Sequence, residues 1–187
     1  MINRAPVLTL WAAIVAERLG FDRGEALSLG KALAGLNAQS KGQRLGIFEP
    51  SPKELEKARA RKRGEEFWAE LLGRAVPVVI TEHGVRALAK SRPIAPEAVE
   101  RYLEGKFGDA LPEARRAMKS LAHAFEPKEL AQRAFQLYER FRPEVPEGVP
   151  GWGAKGALDL DRVRKLRSWQ GRRERHRMMS SSPSRPH

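Results

Sequence analysis

The chain has no cysteine. That single absence excludes disulfides, thiolate metal ligands and a thiol nucleophile. It also leaves the compartment unset by redox chemistry, and a reducing cytosol is the simplest setting. Histidine is almost as scarce: four scattered residues with no chelate spacing, so neither a metal nor another cofactor is expected. Long apolar runs are missing too. The strongest, Val7 to Ala16 in "MINRAPVLTLWAAIVAERLG", is far short of the roughly 20 residues a membrane span needs. It follows one Arg, as a signal peptide would, but cleavage after Ala16 would put Ile14 where a small residue is preferred. The run therefore reads as a buried helix.

What remains is enough for one core: 187 residues, 41% of them apolar, in the range of a single globular domain. Charge is the loudest feature, with 35 basic against 23 acidic residues, a net charge of +12 and a pI near 10.6. It is unevenly placed. Residues 162–187 hold nine basic side chains and one acid, Glu174, for a net +8, which leaves only +4 for residues 1–161. A cationic arm of this kind is the footprint of polyanion contact, because each phosphate it neutralises releases condensed counterions.

Along the chain, apolar spacing of three and four residues predicts helices over Pro6 to Leu19, Arg23 to Ala38, Pro96 to Phe107, Pro112 to Phe125 and Pro127 to Phe141. Gly20 is placed as the first stop and Asp22 as the second cap. A further helix is expected from Pro52 to about Leu72, capped by Ser51 with Glu54, charged in its first half and apolar at Phe67, Trp68, Leu71 and Leu72. "AVPVVITEHGV" holds the one convincing strand core, Val78 to Ile80. Pro77 should put it at an edge or a strand start, and its partner is either Arg44 to Phe48 or Val85 to Ala89. "LDLDRVRKL" adds a short last helix capped by Asp159 or Asp161. The expectation is a mainly α, single-core bundle of about six helices, with a small two-stranded β element near residues 76–89. Residues 1–141 should form a helical globular domain. Residues 142–168 should be a Pro/Gly-rich loop and short helix packed on it, and residues 169–187 a disordered basic tail.

The stretch "VAERLGFDRGEALSLGKALAG", Val15 to Gly35, resembles a helix-turn-helix DNA reader, with Gly20 at the turn and Ala16, Leu19, Phe21, Ala26 and Leu29 at the small or apolar core positions. A reading helix must present polar side chains to base edges. Here only Arg23, Ser28 and Lys31 qualify, and the helix is apolar nearly all round, which favours two core helices joined by a tight turn. The basic run Arg59 to Gly64 reads as a solvated helix face balanced by nearby glutamates.

The tail differs, since "RKLRSWQGRRERHRMM" interleaves an aromatic with arginines and suits an arm lying along phosphates with a base stacked on the indole. The residues expected to contact nucleic acid are Arg162, Arg164, Lys165, Arg167, Trp169, Arg172, Arg173, Arg175 and Arg177, with Arg23 and Lys31 from the hairpin. Anionic lipid ranks second as a partner. For chemistry, Thr81, Glu82 and His83 at a strand end are the place to look, although adjacent strand residues point to opposite faces. "GWGAKG", Gly151 to Gly156, lacks the spacing of a phosphate loop; Trp152 is expected to anchor it. The reading is a cytoplasmic nucleic-acid-binding accessory protein, for DNA or RNA, more readily a binder than an enzyme, with a protein partner or homodimer open. The alternatives are a protein-interaction adaptor with an incidental basic tail, or a small enzyme with its site near Thr81 to His83.

Overall fold

A computed structural model describes residues 1–44, 67–149 and 154–167. It is mostly helical, with a small antiparallel sheet. The first helix, α1 (Arg4–Arg18), is the centre of the molecule: Pro6 to Ala16 is a continuous run of buried residues. Helical spacing puts Leu8, Trp11, Ala12, Val15 and Leu19 on one face. The burial extends all round because helices pack on several sides of α1. It ends in two closing bonds, Phe21 N–H to the Ala16 carbonyl and Gly20 N–H to that of Glu17, both 3.1 Å, with Gly20 at φ +109°. This is the reverse turn that glycine favours at a helix end.

The chain returns along α1 as α2 (Arg23–Arg44). Its start is a reciprocal cap: Glu25 N–H donates to the Asp22 carboxylate at 2.8 Å, and Asp22 N–H donates to that of Glu25 at 3.1 Å. The two helices touch backbone to backbone at Gly30, where a Cβ would lie 2.6 Å from the Thr9 carbonyl oxygen and 2.8 Å from Ala13 N.

The expected helix from Pro52 to Leu72 is corrected at its C-terminal end. Residues Phe67–Leu71 form a strand, β2, and Leu72-Gly73 turns it onto β3 (Arg74–Thr81). Both turn residues have positive φ, 50° and 73°, the conformation that matches strand twist in a two-residue hairpin. Residues 51–66, with the expected cap and the Arg59 to Gly64 run, lie outside the described residues. The sheet continues through β4 (Gly84–Ala89) and β5 (Arg92–Pro93), all antiparallel in the order β2-β3-β4-β5. The β element is thus four-stranded, not two-stranded. Of the two expected partners, Val85 to Ala89 pairs with β3 and residues 45–48 of the other lie outside the described residues, while β2 escaped notice because its turn carries no Asn-Gly signal. Pro77 lies inside β3 but only its β2 side is laddered: β2 pairs through Val78, and β4 begins there.

Three helices close the core, α3 (Pro96–Phe107), α4 (Leu111–His123) and α5 (Pro127–Phe141), each with Pro in its first turn. Trp11 ties α1 to the last of them, α5. It donates from Nε1 to the Ala134 carbonyl at 2.8 Å and meets Phe141 edge-on at 5.3 Å. Among the described residues there are therefore five long helices, one fewer than the expected six, plus a 3-10 turn at Gly108–Ala110 and a short helix over residues 160–167.

Candidate nucleic-acid interface

The charged end of the chain is brought to the body in two steps. First, Ile2–Asn3 (β1) pairs antiparallel with Lys155–Gly156 (β6), and Glu144 bridges to Ala157. Gly156 is pressed so close to Glu144 that a Cβ there would overlap the Glu144 backbone, so only glycine fits. Lys155 is thus a strand residue and not part of a phosphate loop; Trp152 lies outside the described residues. Second, Asp159 caps the helix over residues 160–167, its Oδ1 accepting from the N–H groups of Asp161 and Arg162 at 2.9 and 3.1 Å. Val163 is fully buried and Leu160 and Leu166 partly so. The apolar side docks, and the cations stay outside.

Those cations are held in a defined arrangement. Arg164 bridges Glu113 of α4 at 2.5 Å and Asp161 at 2.6 Å; hydrogen bonds to these two carboxylates hold its guanidinium even further above the usual range. Arg162 pairs with Glu144, and Arg167 donates to the Ser120 hydroxyl at 2.9 Å. Between α4 and the last helix runs a groove of about 300 Å³ lined by Glu113, Arg116, Ala117, Ser120, Arg164 and Arg167. Arg116 has no partner among the described residues. Three guanidinium groups and a hydroxyl around one concavity, with Glu113 the lone acid in its lining, make a donor-rich surface suited to oxyanions. Lys165 is on the same helix. Trp169, Arg172, Arg173, Arg175 and Arg177 lie outside the described residues.

Arg23 and Lys31 sit elsewhere. Arg23 pairs with Glu100 at 3.1 Å, and the same carboxylate oxygen binds Arg115 of α4 at 2.7 Å. Arg115 and Arg116 therefore face different neighbours, α3 and the groove. Lys31 lies 3.3 Å from the centroid of the Tyr102 ring. From Ala26 to Ala34 every residue of α2 except Lys31 is buried, Leu27 included. Its outward positions are covered by α3 and β4.

At the hairpin tip, Thr81 Oγ1 donates to the Gly84 carbonyl at 2.8 Å and accepts from His83 N–H at 3.2 Å. His83 and Glu82 side chains stand 3.5 Å apart, 78% and 87% exposed. They do not point to opposite faces, because both lie in the turn and not in the strand. Their partners are each other and solvent. No group of three or more metal-ligating side chains occurs among the described residues, and no helix there is long and apolar enough to cross a membrane.

Sequence reasoning missed Arg116 and Ser120, one helical turn apart on the polar side of α4. Their spacing was visible; their meeting with residues 160–167 depends on a long-range contact that no local pattern encodes. No protein-family model, curated protein or solved structure matches this chain.

Proposed function

We propose that this protein binds nucleic acid, DNA or RNA, by sequence-independent phosphate contact through residues 162–187, as a cytoplasmic accessory protein. The observation that carries the reading is the uneven charge: nine cations against one acid in 26 residues, beside a nearly balanced body. The groove supports it. Arg116, Arg164 and Arg167 line one surface beside the start of the arm. The ion pairs of Arg162 and Arg164 are half-exposed, so a phosphate exchanges for a carboxylate there at little cost. Trp169 supplies a stacking face for a base. Contact by α2 is secondary in this reading, since a helix buried from Ala26 to Ala34 presents little to a groove.

The test is binding to duplex DNA and to single-stranded RNA across a salt series, with the full chain and with a chain ending at Arg167. The cut belongs there because Val163 fills the core. The full chain should lose affinity steeply with salt, and the shortened chain should show a much flatter dependence. An equal slope for both would defeat the reading.

A protein-interaction adaptor is the second reading, and one observation favours it. Phe67 and Ile80, 61% and 63% exposed, are diagonal neighbours on one face of the sheet, since Phe67 registers opposite Val78.

A further inference from the structure

Between α2 and α3 two ammonium groups share one aromatic ring. Lys31 Nζ lies 3.3 Å from the Tyr102 centroid, and Lys106 Nζ lies 6.0 Å from it. Among the described residues neither lysine has a carboxylate partner. Of the three acids on α3, Glu97, Glu100 and Glu104, Glu100 pairs through Oε1 with Arg23 and Arg115, and none pairs with Lys31 or Lys106 among the described residues. Ring quadrupoles attract cations, but they do not neutralise them, and two like charges around one ring repel. We propose that Lys31, Lys106 and the Tyr102 hydroxyl form a binding site for a phosphate group, distinct from the groove on α4 and independent of whether the arm binds nucleic acid.

The local chemistry suits a doubly charged oxyanion. A phosphate bridging the two ammonium groups removes their repulsion and accepts charge-assisted hydrogen bonds from both. Burial, and then Lys106, lower the Lys31 pKa, and an anion placed between the two ammonium groups opposes both effects. Burial raises the Tyr102 phenol, which keeps its O–H available as a donor. Lys31 is half-buried while Lys106 is exposed, so one cation sits inside the site and the other at its rim.

The experiment uses the full chain, with inorganic phosphate and a short single-stranded oligonucleotide as separate probes against chloride at matched ionic strength. Thermal shift reads binding. Phosphate should raise the melting temperature in a saturable way, and Lys106→Gln, an exposed change that leaves the core intact, should weaken the apparent Kd about tenfold. Arg116→Gln, in the groove, should leave that Kd unchanged. A response to phosphate alone assigns the site to free phosphate; displacement of phosphate by the oligonucleotide assigns it to backbone phosphate. No saturable response in the unsubstituted protein, or a response that Lys106→Gln leaves intact, overturns the proposal.

Discussion

The Ser28 hydroxyl accepts a hydrogen bond from the backbone N–H of Ala87 at 3.1 Å and donates its own proton to the Glu25 carbonyl at 2.8 Å. One turn earlier, the Glu25 carboxylate accepts from Val85 N–H at 3.0 Å. Strand β5 ladders with Leu88 and Ala89 of β4 and Ile94 N–H donates to the Ala87 carbonyl at 2.9 Å, which leaves the Val85 and Ala87 amides of that edge open. Side chains of α2 occupy it instead, which removes an aggregation-prone edge and ties the sheet to the helical core.

Ser28→Ala should therefore destabilise the protein by about 1–3 kcal/mol, since it leaves a buried N–H unpaired. Chemical denaturation measures this. A loss no greater than for an exposed Ser→Ala change would show that the contact does not hold the sheet.

The α1–α2 crossing makes a second prediction. Gly30→Ala places a methyl against the Thr9 and Ala13 backbone, where no flexible side chain can yield. Overpacking of this kind costs about 1–3 kcal/mol, and the melting temperature should fall. Gly35→Ala, with nothing within 4 Å, should be neutral or slightly stabilising, as expected for Ala in place of Gly within a helix.

The β4–β5 turn stores strain that sequence design can release. Lys90 and Ser91 both have positive φ, 49° and 66°, a region costing ordinary residues about 1–2 kcal/mol each. Replacing the pair with Asn-Gly should raise stability by about 1 kcal/mol. An unchanged or lower melting temperature would contradict the turn geometry.

Alkaline titration tests the packing around α5. Burial pushes the Tyr138 phenol up to about 12, opposed by Arg4 and Arg142, and its hydroxyl donates to the Arg4 carbonyl at 3.3 Å. The folded protein holds this proton to higher pH than the unfolded chain, whose phenol titrates near 10. This contribution to stability is complete below pH 10 and is lost as pH rises towards 12. Tyr138→Phe should remove that part of the pH dependence when unfolding is followed by calorimetry between pH 9 and 12.

Helices were legible where one face is apolar and proline or glycine marks the ends. Pro96, Gly108, Pro127 and Phe141 fall at or next to boundaries as the pattern places them. Strand β2 was not legible. Phe67, Trp68, Leu71 and Leu72 fit helical spacing as well as a strand, and only the left-handed turn at Leu72-Gly73 distinguishes them. The same limit governs the candidate site. The cationic arm announces itself in composition, whereas Arg116 and Ser120 acquire meaning only when Val163 docks the last helix beside them. Arg23 and Lys31 carried the right charge for the helix-turn-helix resemblance, but tertiary packing gives them Glu100 and Tyr102 as partners.

The central claim is that the arm grips phosphates. The most direct measurement is the salt dependence of duplex DNA binding for the full chain and for a variant with Arg172, Arg173, Arg175 and Arg177 changed to glutamine. Each phosphate contact contributes about 0.9 to the slope of log K against log salt. Removing four such contacts should flatten the slope by about 3 to 4 while leaving the melting temperature unchanged. Parallel lines for the two proteins would contradict the account.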